Sequence, residues 1–445
     1  MSKVLLISYD NGSHLPFFPI NIFYLLGALQ KKGHQVGVWF QDIHHGDEKA
    51  LTQILDGNKF DIVGLGFCAG YWQYEKVKKI SAAVNVSKNR KTCNYVLGGH
   101  GPAGDPKFFM EKMGADSVVV GDGERAICQI AERGQRGAIL GDPAILDEAP
   151  LDCYKYFPMD LYRLIRWPTS QRTDFCFPIL SSRGCKWNCS FCYRMRDGFF
   201  ERSTEAIIEE IKYLHDNFHI NHFQFADELL MSSVKRTEEI CEAILHLPFS
   251  MKWDCNGRLN FAEKRILDLM KKSGCSYVNY GIESLNQEIL NEMKKGLKVD
   301  QIYQGVEATL TSGISPGLNF IWGFPGDTEE NLFKCVEFIC KYDPCDELRT
   351  IRPVTPYPAC PLWLKALEGG LVKDTREFYE NLHKNSDLLS INFMDIPIEE
   401  AHRMLWSANR DLIRNYLNEK HIKMLDGATK LYLVGDTSFR GFRAV

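Results

Sequence analysis

The chain has 445 residues, more than one hydrophobic core organises, so two or three domains are expected. Hydrophobic residues at 45% and charged residues at 25% exclude a disordered chain, and 53 basic against 57 acidic residues (net charge −4) argue against a large nucleic-acid-binding face. The longest apolar run, residues 17–29, is interrupted by Pro19 and Asn21, and Asp10 follows too short an apolar start for a signal peptide; a soluble, cytoplasmic protein is expected, with no membrane span.

Residues 3–8 (KVLLIS) read as a buried strand. Pro19 opens a helix with Ile22, Leu25, Leu26 and Leu29 at helical spacing, and Gly33 ends it. Further strands are expected at 35–40, 62–67, 95–97 and 117–120. Continuously apolar strands with helices between them predict a parallel sheet covered on both faces, a doubly wound Rossmann-like α/β domain over residues 1–140. In such sheets ligands sit at the carboxyl ends of the strands. Three glycine-rich turns fall there: Gly64 and Gly66, then Phe67 and Gly70; Gly98-Gly99-His100-Gly101; and Gly121-Asp122-Gly123-Glu124. Singly, each is an ordinary tight turn; together on one rim they point to a large cofactor. No GxGxxG follows the first strand and no P-loop occurs, which disfavours a dinucleotide or P-loop nucleotide.

Residues 141–175 carry Pro150, Pro158 and Pro168 without a clean period and are expected to be a linker packed across the domains. A second alternation follows: strands at 178–182, 222–226, 251–254, 277–281, 317–322 and 348–354, with helices between, the first at 203–215. Six βα units in series predict a partial (β/α)6 barrel over 176–360, its site again at the carboxyl ends. Residues 361–445 are expected to be mainly helical, with Leu405, Ala408, Leu412 and Tyr416 forming a stripe that caps the barrel.

Fifteen cysteines without a secretory context indicate metal ligation by a few and burial for most. In SSRGCKWNCSFCYR, Cys185, Cys189 and Cys192 have the spacing C-x3-C-x2-C. Three thiolates on a short loop each hold one iron of a [4Fe–4S] cluster and leave the fourth iron open to a small molecule. Zinc would need a fourth ligand, and no Cys or His follows at finger spacing.

This loop, with Phe191 before the third cysteine, resembles the radical S-adenosylmethionine (SAM) superfamily, and further motifs follow in order. RSTEAIIEEI (202–211) is similar to the helix after the cluster loop. FADELL (225–230) is similar to the acidic turn after the second strand, so the resemblance implies that Asp227 and Glu228 meet the SAM amino group. YGIESLNQEILNEMKKG (280–296) resembles the fourth-strand motif, which implies that Glu283 faces the ribose; the alternative is an ion pair with a nearby lysine. Arg258 in NGRLN either meets the SAM carboxylate or caps a strand. GFPGDT (323–328) and PYPACPL (356–362) resemble later turns, although Ala359-Cys360 stands where Gly-Thr is common and receives no role.

The first domain resembles the cobalamin-binding domain fused to one radical SAM subgroup, on GGHG (98–101) and VVGDGE (119–124). That likeness implies cobalamin contacts from Gly66, Phe67, Gly70, Gly98, Gly99, His100, Gly101, Gly121, Gly123 and Glu124. The Asp-x-His-x-x-Gly pattern that supplies histidine to cobalt is absent, QDIHHGD (41–47) placing Asp47 where glycine is required, and His44 and His45 are expected at the surface or between domains. Tyr71 and Trp72 either shield the corrin or belong to the core.

The resemblance implies a cobalamin-dependent radical SAM C-methyltransferase with a [4Fe–4S] cluster, SAM and cobalamin, a small-molecule substrate and an electron donor such as flavodoxin or ferredoxin. Alternatives are radical rearrangement or cyclisation without methyl transfer, a methylthiotransferase, and a non-enzymatic cobalamin carrier.

Overall fold

Two parallel sheets organise the chain in this computed structural model, which describes residues 1–10, 12, 16–143, 146–194, 198–434, 436 and 438. The first comprises β1 (Lys3–Ser8), β2 (Gln35–Phe40), β3 (Ile62–Gly66), β4 (Asn94–Gly98), β5 (Ser117–Val120) and β6 (Gly137–Leu140), in the order β2-β1-β3-β4-β5-β6. Alternate residues serve two cores: Val4, Leu6, Val96 and Val119 face one, and Leu5, Ile7, Val63 and Leu97 the other. Burial on both faces is what made these strands read as unbroken apolar runs. β2 and β3 flank β1 on opposite sides, so the winding reverses beside β1 and opens a crevice at its carboxyl end. β6 is an addition to the expected set, a four-residue edge strand that leaves Leu140 exposed and so lacks an apolar signature.

Next come β7 (Cys176–Ile179), β8 (Ser182–Gly184), β9 (Phe199–Glu201), β10 (His222–Phe225), β11 (Lys252–Gly257), β12 (Cys275–Glu283), β13 (Ser315–Trp322) and β14 (Arg352–Pro353). β7 and β10 to β14 pair in parallel and in sequential order, the open half-barrel expected, while β8 and β9 form a small antiparallel ribbon. The strand expected at 178–182 therefore divides in two. The one expected at 348–354 shrinks to two residues, because Arg349 turns inward to donate to Tyr277 Oη at 2.9 Å and to the Pro316 carbonyl at 3.2 Å.

The segment 141–175 is more than a strap. Tyr154, Phe157 and Tyr162 ring Phe18 with centroids 5.0–5.6 Å away, and Phe18 packs at 4.5 Å on Phe177 of β7. This aromatic wedge joins the two sheets; residues 144 and 145 of the segment lie outside the described residues. Of the C-terminal stripe, Leu405, Ala408 and Leu412 are buried, on a helix (Ile398–Thr429) packed against the helix Glu329–Tyr342 of the barrel, and Tyr416 is half-buried. Tyr379 packs instead against the first domain, stacking on Tyr74 at 4.6 Å and meeting Phe109 at 5.5 Å. Among the described residues no helix is long and apolar enough to cross a membrane.

Candidate cofactor sites

The three-cysteine loop leaves the β8–β9 ribbon at Gly184, whose φ of +86° and contact with the Gly198 carbonyl (2.3 Å from an added Cβ) require glycine. Behind the loop, Ser190 N donates to the Met293 carbonyl at 2.9 Å, and Leu362 N to the Ser190 carbonyl at 2.8 Å. Arg258 lies 3.8 Å over the Trp187 ring, reaches Cys189 Sγ at 3.9 Å and donates to the Lys295 carbonyl. Its guanidinium is thus occupied in bracing the loop. Burial raises the Cys185 thiol, with the Cys189 charge adding. Cys192 is open to solvent, yet the protein around its sulfur pushes it up to about 12, helped by Cys189, Glu283 and Cys185. Cys185 and Cys192, each raised with the Cys189 charge beside it, belong to a donor set that calls for a cationic partner. Among the described residues no three of His, Cys, Asp or Glu close round a single ion. A cubane cluster, with its irons at separate corners, does not ask them to.

Asp227 is buried and faces backwards. Its carboxylate accepts from Ser181 N at 2.7 Å, Ser182 N at 2.9 Å and the Ser181 hydroxyl, and this pinning is what breaks the expected strand into β7 and β8. Burial pushes its carboxyl up to about 6 against those hydrogen bonds. Glu228, next in the chain, faces outward with its carboxylate 3.7 Å from His100 Nε2. Glu283 takes the alternative partner, an ion pair with Lys295 at 2.8 Å. Its φ of +71° lays the side chain back over Gly281, where an added Cβ would stand 2.3 Å from Glu283 Oε1. Phe191 packs beside Lys295, whose Nζ is 5.8 Å from the ring. Asp327 of GFPGDT pins its own turn, accepting from Gly323 N at 3.1 Å and Phe324 N at 3.0 Å.

Between the rims of the two sheets lies a cavity of about 560 Å³. Its walls include Gly64, Gly66, Phe67, Gly98, Gly99, His100, Gly121, Gly123 and Glu124 from the first sheet, and Ser182, Arg183, Asp227 and Glu228 from the second. Gly99 has φ +92°, and a Cβ there would meet the Phe67 carbonyl at 2.6 Å. Gly101 and Gly70 stand back from the cavity: Gly101 is packed under the Phe67 ring, and Gly70 beside Gln73. Arg183 crosses from β8 to the Gly121–Glu124 turn, 2.7 Å from Glu124 and 3.4 Å from Asp122.

Residues 179–339 match the radical SAM superfamily and residues 13–131 the B12 binding domain. The chain is a radical SAM protein with a B12-binding domain. This radical SAM protein is 27% identical to an uncharacterised methyltransferase of Pyrococcus horikoshii, over 80% of this chain and 79% of that one. It is 23% identical to the hopanoid C-3 methylase of Methylococcus capsulatus, over 89% and 79%. Its fold is that of the radical SAM methyltransferase TsrM from Kitasatospora setae, solved with cobalamin and a [4Fe-4S] cluster bound (TM-score 0.65, 18% identity, 83% and 78% covered).

The residues present fit both groups. The loop offers three clustered thiols, and the cavity has mostly apolar walls and close backbone at Gly99. The cavity unites eight of the ten residues expected against cobalamin; Glu283, Arg258 and Phe191 are gathered separately, behind the cluster loop. His44 and His45 are exposed, His45 pairing with Asp10 at 2.7 Å, and neither borders the cavity. Tyr71 and Trp72 also lie outside it, Trp72 being 56% exposed. Sequence reasoning missed Arg183 and Asp42, whose partners lie 59 or more residues away: Arg183 pairs with Glu124 and Asp42 with Tyr162. The Ala359-Cys360 departure has a local account. Ala359 adopts φ +74°, which glycine favours, and Cys360 Sγ caps the next helix by accepting from Trp363 N at 3.3 Å, as a threonine hydroxyl would.

Proposed function

We propose that the chain is a cobalamin-dependent radical SAM methyltransferase that methylates an unactivated carbon of a small molecule. The observation that carries this is the shared cavity, with His100 of the first rim and Glu228 of the second meeting across it at 3.7 Å. Such an arrangement lets one substrate face both cofactors without leaving the protein. The hopanoid methylase and the Pyrococcus methyltransferase support the reaction type.

Cys185, Cys189 and Cys192 hold the cluster. Glu228 receives the SAM ammonium, since both oxygens of Asp227 are spent on Ser181 and Ser182. Asp227 and Arg258 are positioning residues, the one fixing the chain ahead of the cluster loop and the other bracing Trp187 and Cys189. Glu283, oriented by Lys295, faces the ribose. When bound, the cofactors supply one-electron cleavage of SAM and a methyl group for the substrate radical. A flavodoxin or ferredoxin is the expected electron source. The domains are proposed as residues 1–140, 176–360 and 361–445, with 141–175 as the wedge.

The test quantifies both nucleoside products from the reduced, cobalamin-loaded protein with SAM and a fractionated cell extract. Substrate-dependent 5′-deoxyadenosine and S-adenosylhomocysteine should rise together. An increment of 5′-deoxyadenosine alone would transfer the protein to radical rearrangement or cyclisation.

A further inference from the structure

The C-terminal helix Ile398–Thr429 carries two apolar stripes, and among the described residues only one of them is covered. Leu405, Ala408 and Leu412 are buried on the side packed against the helix Glu329–Tyr342. Trp406, Ile413, Leu417 and Met424 recur at spacings of seven, four and seven, so they share a second line on the helix, turned away from the first. All four are exposed, Trp406 to 64% and Leu417 to 57%. At the rise of an α-helix the line is about 27 Å long. Of the 23 large apolar side chains exposed among the described residues, nine lie between Trp406 and Val434, which is a concentration and not the single scatter usual on a soluble surface.

Charge decides what covers this face. Arg403, Arg410, Arg414 and Lys420 flank the line, whereas Asp411, Glu419 and Asp426 stand round the helix from it. Arg410 lies 4.9 Å over the Trp406 ring while pairing with Asp411 at 2.8 Å, and Lys420 lies 5.5 Å over the Tyr416 ring. A basic flank of this kind, in a chain of net charge −4, disfavours a second copy of the chain. An antiparallel copy centred on the line would set Arg410 against Lys420, and a parallel copy would set each cation against itself. An anionic partner is complementary. Cations whose stems run beside indole and phenol rings, along a convex ridge of apolar side chains, suit a bilayer interface: the apolar chains enter the acyl boundary and the cations stay with the headgroup phosphates. We propose that the Trp406–Met424 face docks the protein on an anionic bilayer surface. The inference goes beyond the methyltransferase reading and does not rest on it; it brings the chain to a membrane that none of its described helices can cross.

The full-length protein is floated with vesicles of phosphatidylglycerol and phosphatidylcholine in equal parts, and with vesicles of phosphatidylcholine alone. It should partition onto the anionic vesicles about tenfold or more better, and lose that margin in about 0.5 M salt. Trp406→Ser together with Leu417→Ser should weaken the partition about tenfold or more through lost apolar burial. Arg410→Gln together with Lys420→Gln should weaken it by about as much and remove the preference for anionic lipid. Ile422 is as exposed as Leu417 but lies on the opposite side of the helix, so Ile422→Ser should stay within about twofold of wild type. Thermal melting and sedimentation of each variant establish that it folds and in what oligomeric state. Absence of wild-type flotation on the anionic vesicles, or an equal loss in Ile422→Ser, would overturn the proposal. A wild-type dimer that the stripe variants dissociate would overturn it in favour of a second copy. Binding of an acidic flavodoxin through the same residues, without flotation, would overturn it in favour of a protein partner.

Discussion

The two rims that face the cavity are made of opposite materials. The first is backbone: Gly66, Gly98, Gly99, Gly121 and Gly123 present main chain and little else, so a broad ligand can lie close against it. The second is side chain, and its charges are mostly committed: Asp227 to Ser181 and Ser182, and Arg183 to Glu124 and Asp122 across the cavity mouth. A bare socket suits a large ring whose recognition is mainly by shape. A locked polar frame suits a small, highly charged assembly whose geometry must not drift.

The contrast can be broken most completely at the cluster loop. Replacing Cys185, Cys189 and Cys192 together by alanine should abolish iron and sulfide binding and the cluster's visible absorbance, while leaving hydroxocobalamin affinity within severalfold of wild type; retained iron would refute the ligand set. On the backbone rim, Gly99→Ala forces a Cβ to within 2.6 Å of the Phe67 carbonyl at a positive φ. It should cost about 3–5 kcal/mol in urea unfolding and weaken cobalamin binding, with iron content unaffected.

The locked frame is sharpened by pH. Asp227, ordinarily at 3.8, is raised to about 6 by burial. A folded value above the unfolded one means that its contribution is complete at low pH and disappears as pH rises through the folded value; at about 1.4 kcal/mol per pH unit this approaches about 3 kcal/mol by neutrality. Asp227→Asn does not ionise, so its stability deficit against wild type should shrink between about pH 3.8 and about pH 6 and be constant above about pH 7. A deficit constant over that window, measured by denaturant unfolding, would place the cause elsewhere. The smallest effect is expected at Ala359, where φ is +74°. Ala359→Gly should stabilise the chain by about 1 kcal/mol, read as a rise in melting temperature.

What the sequence disclosed follows the range of the forces involved. Strands buried on both faces and the spacing of three thiols are local patterns, and β1 to β5 and the cluster loop were accordingly legible. β6 was not, because an edge strand of four residues with exposed Leu140 has no apolar run to read. The glycine turns announced a rim, but which glycines reach the cavity depends on Phe67 folding over Gly101. The direction of Asp227 is decided by Ser181 and Ser182, 46 and 45 residues earlier, and that of Asp42 by Tyr162, 120 residues later. No window of sequence contains both ends of those bonds.

Arg183 sits two residues ahead of Cys185, with its guanidinium on the Gly121–Glu124 turn of the other sheet. The seam in the sequence near residue 140 is therefore not a seam in energy. Cutting the chain there would strand a largely buried cation on one fragment and two carboxylates on the other, at a cost of about 3–5 kcal/mol for an uncompensated buried charge. Grafting a foreign corrinoid domain onto this barrel would require importing acids at the positions of Asp122 and Glu124, or replacing Arg183 along with it. For an engineer exchanging parts between such proteins, the smallest portable piece is the first domain together with the clasp that holds it.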